Sequence, residues 1–146
     1  MSAQRRGEAT WSGSLMEGSG SVALASSGAA DDLPVTWTSR SETSGGKTSP
    51  EELIAAAHAG CYAMFLSNIL AQQGHKAERL QVTAVSSFEK VGDDFRVTRM
   101  DLEVSGGVPG IGGPEFEEAA QAAKEGCPVS NALKDNVEIT LKASLA

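Results

Sequence analysis

The chain is poor in most of the residue types that announce a function. It has two cysteines, two histidines and one tyrosine, and aromatic residues make up only 5% of its 146 positions. Two cysteines are too few for the disulfide framework of a small secreted domain. In a reducing compartment such a pair is redox-active, metal-binding or inert. Basic residues are also scarce: 12 Lys and Arg stand against 19 Asp and Glu, for a net charge of −7. A polyanion is repelled on average, which argues against nucleic acid or an anionic membrane surface as a partner. Arg5-Arg6 is too short a basic stretch to change that balance.

Long apolar runs are missing as well. The N-terminal "MSAQRRGEATWSGSLMEG" has two arginines but no apolar segment behind them, so it does not read as a targeting signal. The longest apolar run, Leu53 to Leu66, is broken by His58 and falls short of the roughly 20 residues that span a bilayer. These features predict a soluble, cytoplasmic protein with no membrane partner. The length fits a single domain over residues 1–146.

What is present is turn chemistry and one dominant helix. Sixteen glycines predict many turns. Short strands are expected at "GEATWSG", "SGSVALAS" and "PVTWTS", followed by a polar loop, "RSETSGGKTS". Ser49-Pro50-Glu51-Glu52 then starts a helix, with Ser49 as N-cap, Pro50 at the first helical position and Glu52 closing a capping box. The pattern runs to about Gln73, where Gly74 stops it, a length of about 36 Å at about 1.5 Å per residue. Two long strands, 79–90 and 94–105, join at "VGDD" as a hairpin. In the second, Met100, Leu102 and Val104 alternate with polar residues and define a buried face. Pro114 opens a second helix that ends at Gly126, Cys127-Pro128 starts a short third one, and "NVEITLKASL" closes the chain as a strand. Strands with helices set between them make the fold α+β.

Both cysteines are candidate nucleophiles, and each has an ordinary explanation. Cys61 lies in "EELIAAAHAGCYAMF", where a thiol is commonly a packing residue. It sits well past the first turn, so the helix dipole does not activate it. Lowering its pKa by about two units takes about 2.7 kcal/mol from a nearby cation or hydrogen-bond donor. Cys127 is at a helix N-cap, which contributes about 0.3–1 kcal/mol, less than one pKa unit. Local sequence therefore leaves open which thiol attacks first. His58 lies one turn before Cys61 on the same face and can form a Cys–His pair, although a histidine in an apolar helix is more often a packed residue. His58, Cys61 and Cys127 are one ligand short of a structural zinc site and contain no C-x-x-C, so a metal site is disfavoured. A cysteine hydrolase is disfavoured because the second histidine, His75, lies beyond the helix stop.

"SPEELIAAAHAGCYAMFLS" together with "GCPVSNAL" resembles the osmotically inducible protein C (OsmC) family, thiol peroxidases related to the organic hydroperoxide resistance (Ohr) proteins. The likeness extends to "GEATWSG", to an arginine before the polar loop, to "VPGI" and to the closing strand. It implies an OsmC-like fold with antiparallel sheets, one long central helix and a second helix, assembled as an intertwined homodimer with active sites at the interface. It also implies Cys61 as the peroxidatic thiol, Cys127 as the resolving one, Arg40 of "TWTSRSE" as the active-site arginine and Glu51 as its carboxylate partner.

Glu51 and Cys61 are ten residues apart on one helix, about 15 Å along its axis. If both serve one site, Glu51 comes from a partner subunit or acts through Arg40. Ala55, Ala56, Ala57, Ala59 and Gly60 would let two such helices approach closely. The activity implied is reduction of organic hydroperoxides, and more weakly hydrogen peroxide, in oxidative or osmotic stress defence. An external dithiol, in the Ohr branch a lipoylated protein, would reduce the resulting disulfide, and no bound cofactor is expected because sulfur carries the redox change. Leu53, Ala57, Met64, Phe65 and Phe116 are candidates to line an apolar substrate pocket, although core packing is the commoner role for each taken singly. A non-catalytic redox-sensing or ligand-binding protein on the same fold is the rival.

Overall fold

The computed structural model describes residues 1–146 and divides into two units, Met1–Leu53 and Ile54–Ala146, with the boundary inside the long helix. In the first unit, β1 (Gly7–Ser12), β2 (Ser19–Leu24) and β3 (Leu33–Val35) form an antiparallel sheet in the order β1-β2-β3. Gly20 of β2 faces Trp11, and a Cβ there would stand 2.3 Å from the Thr10 carbonyl oxygen, so only glycine fits.

The expected third strand, "PVTWTS", is mostly not a strand. It stops at Val35, and α1 (Trp37–Ser41) begins at once. Thr36 Oγ1 accepts from the Ser39 N–H at 3.1 Å while Ser39 Oγ accepts from the Thr36 N–H at 2.9 Å. This reciprocal cap satisfies two backbone donors and outweighs the strand preference of Thr and Trp.

Helix α2 (Pro50–Gln72) starts where the sequence places it. Ser49 Oγ accepts from the Glu52 N–H at 3.1 Å, whereas the Glu52 carboxylate turns to the Thr48 hydroxyl rather than back to Ser49. Gly74 ends the segment in the left-handed region, at φ +84°. By length and composition alone α2 would also qualify as a membrane span. Instead Tyr62, Leu66 and Leu70 are fully buried among Met100, Leu102, Val104, Phe116, Ala119, Ala120 and Ala123. Burying each large side chain contributes about 1.5–3 kcal/mol.

In the second unit, β4 (Arg79–Val91) and β5 (Asp94–Gly107) form the expected hairpin around Gly92, whose φ is +64°. The alternation predicted for Met100, Leu102 and Val104 holds, for all three are buried. α3 (Gly113–Gly126) and α4 (Pro128–Leu133) follow, then β6 (Glu138–Leu145). β6 runs parallel to β5, Arg99 opposite Glu138 through Gly106 opposite Leu145, so this sheet is mixed rather than antiparallel. The physical reason is the connection: α3 and α4 carry the chain back across the sheet before β6 begins, and such a crossover delivers a parallel strand. The Phe116 ring of α3 sits directly on Gly106 of β5, where a Cβ would lie 2.6 Å from it.

Candidate active site

The four residues expected to act fall into two pairs, one in each unit. In the second unit the Cys61 and Cys127 sulfurs lie 3.2 Å apart, with both thiols free. Cys61 projects from the middle of α2 and is half-buried, whereas Cys127 is fully buried. Cys127 ends one helix and begins the next. Its N–H donates to the Ala123 carbonyl at 3.0 Å, and its own carbonyl accepts from the Asn131 N–H at 3.0 Å. The Phe65 ring fills the space above Gly126, where a Cβ would stand 2.7 Å away, and so closes the backbone just before Cys127.

Burial pushes the Cys61 thiol up from its ordinary value, and the neighbouring Cys127 sulfur adds to the rise. The backbone N–H of Val129 hydrogen-bonds the Cys61 sulfur and opposes both. That donor belongs to the first turn of α4. The helix that carries Cys61 supplies no such help, and the helix that follows Cys127 does. The net direction is upward, so the surroundings in this unit favour the thiol over the thiolate.

Two further side chains surround the thiols. The Tyr62 hydroxyl donates to the Ala120 carbonyl at 2.9 Å, and burial first and the Cys127 sulfur second push its acidity far down, so it stays protonated. His58 Nε2 shares a 2.8 Å hydrogen bond with Ser130 Oγ, and both residues are buried. Burial lowers the His58 pKa and keeps the ring neutral, while its Nδ1 has no hydrogen-bond partner.

In the first unit Arg40, in the last turn of α1, meets Glu51, in the first turn of α2. Arg40 Nη2 donates to Glu51 Oε1 at 2.8 Å and Nε donates to the same oxygen at 3.0 Å. The Glu51 side chain is 8% exposed and the Arg40 side chain 33%. The geometry is that of a fork gripped by a buried carboxylate, which fixes the guanidinium plane while leaving part of it accessible. Arg40 also borders a cavity of about 310 Å³ walled by Trp11, Leu15, Val22, Val35 and Trp37. None of Leu53, Ala57, Met64, Phe65 and Phe116 lines it. Phe116 is core, and Met64 stands 77% exposed on α2. No three His, Cys, Asp or Glu side chains converge anywhere in the chain.

A family model described as OsmC-like protein matches residues 43–142, and peroxiredoxin OsmC of Escherichia coli strain K12 is 40% identical over 145 residues, covering 99% of both chains. The chain belongs to the OsmC family. Organic hydroperoxide resistance protein OhrA of Bacillus subtilis is a more distant relative, 27% identical over 113 residues, spanning 77% of this chain and 79% of that protein. Among solved structures, OhrB of Bacillus subtilis superposes with a TM-score of 0.73 at 22% identity, covering 94% of this chain and 97% of that one. An OsmC-like protein from Mycoplasma pneumoniae does so with 0.75 at 15% identity, covering 100% and 99%. At those identities the likeness is one of fold, and it is the α+β fold described above.

The sequence did not single out Tyr62, Val129 or Ser130. One signal for Ser130 was available within the OsmC chain itself. Ser130 follows Cys127 by three residues just as His58 precedes Cys61 by three, so two facing helices that pair the cysteines also pair the other two.

Proposed function

We propose that this OsmC-family chain is a cysteine-based peroxidase that reduces organic hydroperoxides to alcohols. The observation that carries it is the thiol pair: sulfurs 3.2 Å apart, one accessible and one buried. That separation is already a near-attack distance of about 3–3.5 Å, and a disulfide needs an approach to only about 2.05 Å. A peroxide reaches Cys61 and not Cys127, which supports Cys61 as the thiol that attacks first.

In the proposed cycle the Cys61 thiolate attacks the distal oxygen of ROOH. The O–O bond breaks, RO⁻ leaves and takes a proton to become ROH, and Cys61 becomes a sulfenic acid. The Cys127 sulfur then displaces hydroxide from Cys61, its proton leaves with that hydroxide as water, and the Cys61–Cys127 disulfide forms. Two electrons from an external dithiol, for which a lipoylated protein is one candidate, restore both thiols. No metal or bound cofactor enters. Arg40 supplies the positive charge that Cys61 lacks in its own unit and stabilises charge developing on the peroxide oxygens. Glu51 acts through Arg40, as their ion pair within one chain supports. The cavity beside Arg40 is apolar enough to take an alkyl or aryl group, which favours organic peroxides over hydrogen peroxide.

We also propose a homodimer with active sites at the interface. The first unit contains no fully buried apolar side chain, and Trp11, Leu15, Met16 and Leu24 are between 41% and 66% exposed. Ala56, Ala57 and Gly60 leave the exposed face of α2 nearly flat. We propose a cytoplasmic location, because the cycle depends on a dithiol supply.

The same thiol pair would also serve a redox sensor, oxidised to a Cys61–Cys127 disulfide without turning over. Steady turnover of cumene hydroperoxide with a dithiol reductant separates the two. The direct test counts free thiols after one equivalent of cumene hydroperoxide. Wild type should lose both, Cys127→Ser should hold a trappable sulfenic acid, and Cys61→Ser should not react. Survival of both wild-type thiols, or reaction of Cys127 alone, would end the peroxidase assignment.

A further inference from the structure

The buried pair His58 and Ser130 has no part in the cycle above. It is the second of two side-chain links between α2 and α4, the first being the sulfur pair. Going from His58 to Cys61 climbs α2 by three residues, and going from Ser130 to Cys127 descends toward the start of α4 by three. Three residues are about 4.5 Å of helix, so the two contacts are successive rungs between antiparallel segments. A slide of α4 along α2 that lengthens one rung lengthens the other.

Helix α4 has little else to hold it. It is six residues long, and Ser130 is its one buried residue, with Val129 and Leu133 only half-buried against the core. Its N-cap is Cys127, and its first turn carries the Val129 N–H that reaches the Cys61 sulfur. The position of α4 therefore sets both the distance between the sulfurs and the one donor on Cys61. On the α2 side a leucine would fill the space of His58 and leave no nitrogen unsatisfied, whereas His58 leaves Nδ1 without a partner. What histidine provides, and an apolar residue does not, is the bond to Ser130.

We infer that His58 is a positioning residue for the resolving step: through Ser130 it holds α4 in register on α2, so that Cys127 stands against Cys61 when the sulfenic acid forms. This rests on the peroxidase reading of the two cysteines. Without the bond the atoms and electrons of the step are unchanged. Cys127 still displaces hydroxide from the Cys61 sulfenic acid, but from a looser starting geometry.

The test is a single turnover of the full-length, reduced protein with one equivalent of cumene hydroperoxide, following sulfenic acid by a dimedone-type trap and disulfide by mass spectrometry. Wild type should close its disulfide without accumulating sulfenic acid. Ser130→Ala and His58→Leu should form sulfenic acid at most about threefold more slowly, as the Val129 donor shifts, but close the disulfide about ten- to a hundredfold more slowly, the cost of a small misplacement of reacting atoms. With excess peroxide they should pass to sulfinic acid. His58→Gln, whose amide reaches the Nε2 position, should restore closure to near the wild-type rate, a rescue that filling the space alone would not produce. Closure at the wild-type rate in either Ser130→Ala or a folded His58→Leu overturns the inference and leaves the peroxidase assignment standing. A wild type that forms neither sulfenic acid nor disulfide sinks both.

Discussion

At the scale of single residues, the site is built from side chains whose ordinary chemistry is opposed by their surroundings. Cys61 is a thiol that burial makes less acidic, set against one backbone donor. Arg40 is an arginine held flat by a buried carboxylate. His58 is the clearest case, because its pKa is lowered from 6.5 by desolvation. The unfolded chain binds a proton there near its ordinary value while the folded chain does not. Folding stability should therefore decline as pH falls below about 6.5 and stop declining at the lower, folded pKa, with a slope of at most about 1.4 kcal/mol per pH unit. Urea unfolding of wild type and His58→Gln between about pH 7.5 and about pH 5.5 checks it, since Gln cannot titrate and its difference curve should carry that slope. A flat difference would mean that His58 is solvated in the folded protein.

At the scale of elements, the sequence was legible wherever a signal was local. The Ser49 hydroxyl, Pro50 and Gly74 delimit α2, and the Cys127-Pro128 step starts α4, because caps and stops act within three or four residues. It was misleading at "PVTWTS", where β-branched and aromatic residues point to a strand and a two-way cap between Thr36 and Ser39 makes a helix. It located β6 but did not fix its direction, because the alternation is the same either way and the parallel pairing depends on the crossover through α3 and α4. The packing of α3 on β5 rests on one glycine. Gly106→Ala would press a methyl group into the fully buried Phe116 ring and against a Leu80 methyl 3.3 Å away. It should cost about 1–3 kcal/mol by denaturant unfolding, with no loss of the thiol reaction in the folded fraction. An unchanged midpoint would show that α3 lifts off the sheet freely.

At the scale of the whole molecule, the first unit has a sheet but no buried apolar side chain, for every buried apolar residue of the chain lies in the second unit, from Ala55 onward. A second copy is the proposed cover, and light scattering should return twice the 15.1 kDa of the chain at micromolar concentration. A mass of one chain would remove the interface from the active-site model and leave Arg40 to act within its own subunit. Local chemistry along the chain was enough to settle the boundaries of α2, α3 and α4 to within a residue, the buried face of β5 and, through the motifs around Cys61 and Cys127, the family. Those features depend on residues a few positions apart, and a linear sequence displays them directly. The parallel β6, the 3.2 Å approach of the two sulfurs, the difference in their burial and the His58–Ser130 bond came from folding alone. Each joins or compares positions 39 to 72 residues apart. Only packing of the segments against one core brings such residues together and sets their distance.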